Sequence, residues 1–191
     1  LDRQGWTWKK NPFSNTRELQ GLKVLMVLVS NWDGKDARDS TRTSDGSIRM
    51  DSNLAIFEDN NNGARQYLYM NDDWGASMGK WGNTFSRSKW DCDGFSEQTD
   101  KFVEVRDDGS LKWGYSGKHR ESIAGAIDRS DVAWLLKYLG RITDEQIRNG
   151  LEASGASPSE TDCFTRTLRR RIQMLQTVAS AGPNKISTRQ R

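Results

Sequence analysis

The sequence predicts an α+β fold, mainly helical, with short β-hairpins set among the helices. Apolar residues recur at helical spacing from Leu19 to Val29, from Trp134 to Leu139 and from Phe164 to Leu175. Two pairs of strand-like runs flank strong turn signals, Asn60-Asn61-Asn62-Gly63 and Asp107-Asp108-Gly109. Eight Trp, six Phe and four Tyr stand beside 29% charged residues, so a polar chain still has the material for a core. At 191 residues that core serves one domain, or one lobe with a helical extension.

Taken in order, residues 1–13 carry Trp6, Trp8 and Phe13 around Lys9-Lys10 and Pro12, and read as an irregular segment docked on the core. Asn15 or Thr16 can cap a helix in which Leu19, Leu22, Leu25, Met26 and Val29 recur. Leu22, Leu25, Met26 and Val29 are expected at the centre of the core, packed by Trp134, Leu135 and the last helix. This helix stops at Ser30-Asn31-Trp32-Asp33-Gly34, and the polar stretch from Lys35 to Ser52 has no periodicity and reads as a loop. Leu54-Ala55-Ile56-Phe57 and Gln66-Tyr67-Leu68-Tyr69-Met70 form a hairpin. Between Asn71 and Gly117 the one clear element is a second hairpin, Phe102–Val105 with Leu111–Trp113. Ser130 or Asp131 then opens a helix that ends at Gly140. Thr143-Asp144-Glu145-Gln146 is a capping box for the next, and Ser157-Pro158 starts the last and longest. Residues 181–191 read as a flexible basic tail behind a single unit spanning 1–180.

Composition excludes several classes. No stretch approaches the ~20 apolar residues of a membrane span; the longest apolar run is Val24 to Val29. A net charge of +3 is too small for a general polyanion binder, so nucleic acid is not an expected partner. Beyond Asp162 only cations follow: Arg166, Arg169, Arg170, Arg171, Lys185, Arg189 and Arg191. They read as a solvated helix face and a frayed tail, with binding to nucleic acid or anionic lipid as the alternative. Cys92 and Cys163 read as two ordinary thiols whose aspartate neighbours oppose thiolate formation, with a disulfide as the alternative. The chain opens on Leu1 without an initiator Met, so a processed protein or a fragment is expected and the compartment is left open.

The chemistry sits in an ordered set of motifs between residues 16 and 79. A helix delivers the Asn31-Trp32-Asp33-Gly34-Lys35 loop, Asn53 heads a strand, a hairpin follows, and Asp73-Trp74-Gly75 closes the set. Phosphoryl transfer needs a carboxylate near the incoming hydroxyl and hard oxygen donors for Mg²⁺. The order resembles the catalytic lobe of the protein-kinase-like superfamily. The resemblance implies Asp33 as proton acceptor, Lys35 as the cation on the transferring phosphate, and Asn53 and Asp73 as the ligands of Mg²⁺ and ATP. It departs from the family pattern in the middle, because five residues after Asp33 stands Arg38, which cannot bind Mg²⁺. Asn53 therefore takes that role across an insertion, with Asp39 as substitute. Thr16–Lys23, Asn31–Lys35, Ser52–Phe57 and Asp73–Gly79 also resemble segments shared by a group of uncharacterised bacterial proteins, which adds to the architecture and says little of substrate.

What the resemblance implies is an ATP- and Mg²⁺-dependent phosphotransferase acting on a hydroxyl of a protein or small molecule. Its helical part would span 120–180, and the N-terminal nucleotide lobe would be missing from this chain. This fragment alone would then be inactive. The alternative is a degenerate kinase-like or Trp-rich binding module for protein or glycan. Asp33, Asn53 and Asp73 also have plain readings as turn and cap residues. His119 reads as a surface or groove residue rather than a base. Trp81, Trp90 and Trp113 read first as core packing and second as a sugar platform. Lys80, Arg87 and Lys89 read as a solvated loop, or as readers of an acidic or phosphorylated substrate.

Overall fold

Thr16 starts the first helix, α1 (Arg17–Leu28), its hydroxyl accepting the Leu19 N–H at 3.3 Å. The computed structural model describes residues 6–181 other than 43, 47, 50, 51 and 62. Val24, Met26 and Val27 of α1 are completely buried, with Leu19 and Leu28 nearly so. Leu22, Leu25 and Val29 are only half-buried, so of the expected centre Met26 alone holds its place. The cause is the large indole of Trp134, which reaches α1 where Gly21 offers no side chain and turns the Gly21–Val24–Leu28 side inward.

Trp134 lies on α4 (Arg129–Leu139), which packs on both α1 and α6 (Pro158–Ser180). The cap of α4 is Asp128, two or three residues earlier than expected; its carboxylate accepts the Ser130 and Asp131 N–H groups. α5 (Asp144–Ala153) starts on the Thr143–Gln146 box and α6 on Ser157 with Pro158 in the first turn, both as the sequence predicts. Both hairpins form. β3 (Leu54–Asn61) pairs with β4 (Ala64–Asn71), Phe57 opposite Leu68, and β5 (Val103–Val105) pairs with β6 (Leu111–Trp113). Leu54 and Ile56 face the body, whereas Phe57, Leu68 and Met70 stand outward at 48%, 61% and 39% exposure. The fold class is thus α+β, and no helix among the described residues is long and apolar enough to cross a membrane.

Other expectations are corrected. The Lys35–Ser52 loop holds a 3₁₀ turn, Ala37–Asp39, and a short ladder of β1 (Thr41–Arg42) with β2 (Ile48–Arg49). The Asn71–Gly117 segment contains α2 (Cys92–Glu97), capped by Asp91; six residues are too few for periodicity to betray. Another short helix, α3 (Arg120–Ile123), follows it. Cys92 and Cys163 form a disulfide joining α2 to α6, with Cα atoms 6.2 Å apart. Flanking aspartates slow thiolate formation, but the packing of α2 on α6 decides which sulfurs meet. Arg171 is not on a solvated face: it is completely buried, its guanidinium 3.6 Å from the Phe95 ring centroid. Trp8 is also completely buried and docks the segment before α1, as expected. Trp81 and Trp113 are core residues, while Trp90 leans on Phe164 and is 40% exposed. The basic tail, with Lys185, Arg189 and Arg191, lies outside the described residues.

Candidate functional site

α1 ends abruptly because Ser30 takes the left-handed conformation (φ 56°), which no further helical turn can follow. Its hydroxyl accepts from Arg171 at 2.7 Å, a tertiary bond that holds the residue there. The turn throws Asn31 into the interior, where it is fully buried and every polar group has a partner. Its N–H reaches Met26 O, and its carbonyl accepts the Tyr115 hydroxyl at 2.6 Å. Its side-chain oxygen accepts the Asp33 N–H at 3.1 Å, while its amide nitrogen donates to Asp73 O at 3.1 Å. One Asn therefore fixes two motifs forty residues apart in sequence.

Asn53 makes the second tie. Its side-chain nitrogen donates to Asp33 O at 2.6 Å, its N–H to Lys35 O, and its carbonyl accepts from Asp72 N–H. The structure thus brings the backbones of Asp33, Lys35, Asn53 and Asp73 into one hydrogen-bonded cluster. Asp33 and Lys35 pair at 3.1 Å, the carboxylate largely buried. Asp73 is exposed and uses Oδ1 to accept the Gly75 N–H at 2.8 Å, a tight Asx-turn that the Asp73-Trp74-Gly75 motif forms by itself. Trp74 anchors that turn through its indole N–H to Asn71 O.

Next to this cluster, Asp36, Asp39 and His119 place metal-ligating atoms within 4.8 Å of one another. Their charge is already answered. Arg38 forks onto fully buried Asp36 at 2.9 and 2.6 Å, and Lys118 and His119 each meet Asp39 at 2.7 Å. Burial opposes ionisation of both carboxyls, but these donors outweigh it: Asp36 falls below its usual range and Asp39 falls to about 2. The network anchors the loop, with Trp8 N–H on Asp36 at 3.0 Å and the Trp8 indole on Gly34 O. Asp39 is therefore no substitute for Asn53, since Lys118 and His119 hold its carboxylate. His119 is half-buried, its Nε2 2.7 Å from Asp39.

Asn31 is the functional residue whose role the motif order does not reveal, although an Asn two residues before an Asp is a ready Asx-turn former. Tyr115 carried no sequence signal; burial pushes its hydroxyl pKa up, and it serves as donor to Asn31. Two cavities of about 430 and 450 Å³ lie elsewhere, one beside Trp81 and Lys101, one between α1 and β4; neither is lined by Asp33, Lys35, Asn53 or Asp73. No protein-family model, curated protein or solved structure matches the chain.

Proposed function

We propose that this chain carries the catalytic half of a kinase-like phosphotransferase that uses ATP and Mg²⁺ to phosphorylate a hydroxyl of a protein or small molecule. The observation that carries the reading is the double tie at Asn31 and Asn53, which gathers Asp33, Asn53 and Asp73 from three separate segments. The donor set suits a hard cation. Asn53 Oδ1 and the second Asp73 carboxylate oxygen accept no hydrogen bond from the described residues, and both are the oxygen type Mg²⁺ selects. Bound there, Mg²⁺ would neutralise phosphate charge. Asp33 would accept the hydroxyl proton and Lys35 would turn from it toward the transferring phosphate. The reading needs a second lobe to close over the nucleotide, and the outward apolar face of Phe57, Leu68 and Met70 is the surface such a lobe would cover.

Calorimetry with Mg-ATP on the full-length protein tests this. The parent is expected to bind, Asp73→Ala to lose binding, and Asp33→Asn to bind while ADP release falls about 10²-fold or more. A parent that ignores millimolar Mg-ATP sinks the reading. It would favour the second one, a degenerate kinase-like or Trp-rich module binding protein or glycan. One observation leans that way: Arg38, five residues after Asp33, is locked onto Asp36 and offers a metal nothing.

A further inference from the structure

Arg87 lays its guanidinium on the Trp32 ring, 4.1 Å from the centroid. It is half-buried, yet its side-chain nitrogens meet no carboxylate or other acceptor among the described residues. Three other cations of these segments are already engaged: Lys35 with Asp33 at 3.1 Å, Lys80 with Glu97 at 2.6 Å, and Lys118 with Asp39 at 2.7 Å. The loop's own carboxylate, Asp91, is taken by the Ser88 hydroxyl and the Gly94 N–H.

The unused fork is also held in place. Trp32 donates its indole N–H to Ser88 O at 2.7 Å, Ser88 N–H reaches Lys80 O, and Arg87 N–H reaches Asn83 O. Asn83 and Ser86 tie the loop tip together through side-chain bonds to its backbone. Stacking on Trp32 thus seats the guanidinium against the residue that precedes Asp33, on a loop whose backbone is itself tied down. A partly dehydrated, pre-positioned guanidinium with free N–H groups matches the paired oxygens of phosphate or carboxylate.

We infer that Arg87 binds an anionic group, and that the hydroxyl substrate therefore carries a phosphate or carboxylate which Arg87 seats beside Asp33. The substrate role rests on the phosphotransferase reading; the anion site rests on the loop alone. The test uses the full chain with its disulfide intact, labelled with ¹⁵N, and follows the Trp32 indole cross-peak, assigned through Trp32→Phe. Inorganic phosphate and acetate are titrated separately at constant ionic strength in chloride.

A saturable shift at millimolar anion is expected, and the stronger of the two arms tells which oxyanion is preferred. Arg87→Gln should weaken it at least about tenfold, and Arg87→Lys should fall between, because an ammonium keeps charge but not the fork. No shift with either anion up to ~50 mM, or an unchanged shift in Arg87→Gln, overturns the site. Asp73→Ala must leave the phosphate shift in place. An intact phosphate shift in a parent that binds no Mg-ATP would support the anion site and overturn its assignment to a kinase substrate.

Discussion

Arg171 brings a charge into the core with no carboxylate beside it among the described residues. It donates to Leu28 O at 2.9 Å, Phe95 O at 2.8 Å, and the hydroxyls of Ser30 and Thr99 at 2.7 and 2.9 Å, and it faces three aromatic rings. Burial pulls its pKa well down, and these dipoles are what keep the charge tolerable there. The same bonds hold the end of α1, so the residue also supports the Asn31 turn. Arg171→Met should cost about 3 kcal/mol or more, because it takes a donor from four buried groups and leaves the Leu28 carbonyl and the Ser30 hydroxyl without the bond that holds the end of α1. A urea midpoint within about 0.5 kcal/mol of the parent would mean that water replaces the guanidinium. The sequence held a clue: Arg171 stands seven residues after Phe164 and one before Ile172, on the buried side of α6. Its neighbours Arg169 and Arg170 pair at the surface with Asp144 and Asp100. A run of arginines hides which member points inward.

At the scale of elements, caps were legible and faces were not. Thr16, Thr143 and Ser157 cap their helices as their local sequence demands, because a cap bond spans only three residues. The inward face of α1 was not legible, since apolar residues surround its C-terminal half and period alone cannot choose among them. Gly21 and Trp134 made that choice. Gly21→Ala therefore separates two effects of opposite sign. Alanine favours a helix by about 1 kcal/mol over glycine, but here its Cβ would intrude on the Trp134 ring. Overpacking costs about 1–3 kcal/mol, so thermal unfolding should show a net loss. A gain in Tm would show that α4 yields freely, and that the α1–α4 contact is looser than its geometry.

For the whole molecule, the Cys92–Cys163 bond closes a loop of 71 residues. That loop holds α2, the second hairpin, α3, α4 and α5, and the bond ties both its ends together. Restricting the unfolded chain this way contributes ~4 kcal/mol by loop entropy. Reduction, or a Cys92→Ser/Cys163→Ser double variant, should lower the denaturant midpoint by a corresponding amount while leaving the fold in place. Equal midpoints with and without reductant would show that the bond constrains nothing that packing does not. The candidate site sits outside this loop but leans on it, through Tyr115 and Lys118 on the Asn31-to-Asp33 turn and its neighbours.

Legible in the sequence were the α+β class, both hairpins, the caps at Thr16, Thr143 and Ser157, and the motif order on which the proposal for Asp33, Lys35, Asn53 and Asp73 rests. Each depends on short-range rules, a period, a turn type or a motif order, that are complete within a few residues. Tertiary structure alone decided that Asn31 and Asn53 join Asp33 to Asp73, that two cysteines became a disulfide, that Arg171 is interior, and that Asp39 belongs to Lys118 and His119. These are pairings between residues twenty to more than a hundred positions apart. Their partners are chosen by how helices and loops pack, and local spacing carries no record of that choice.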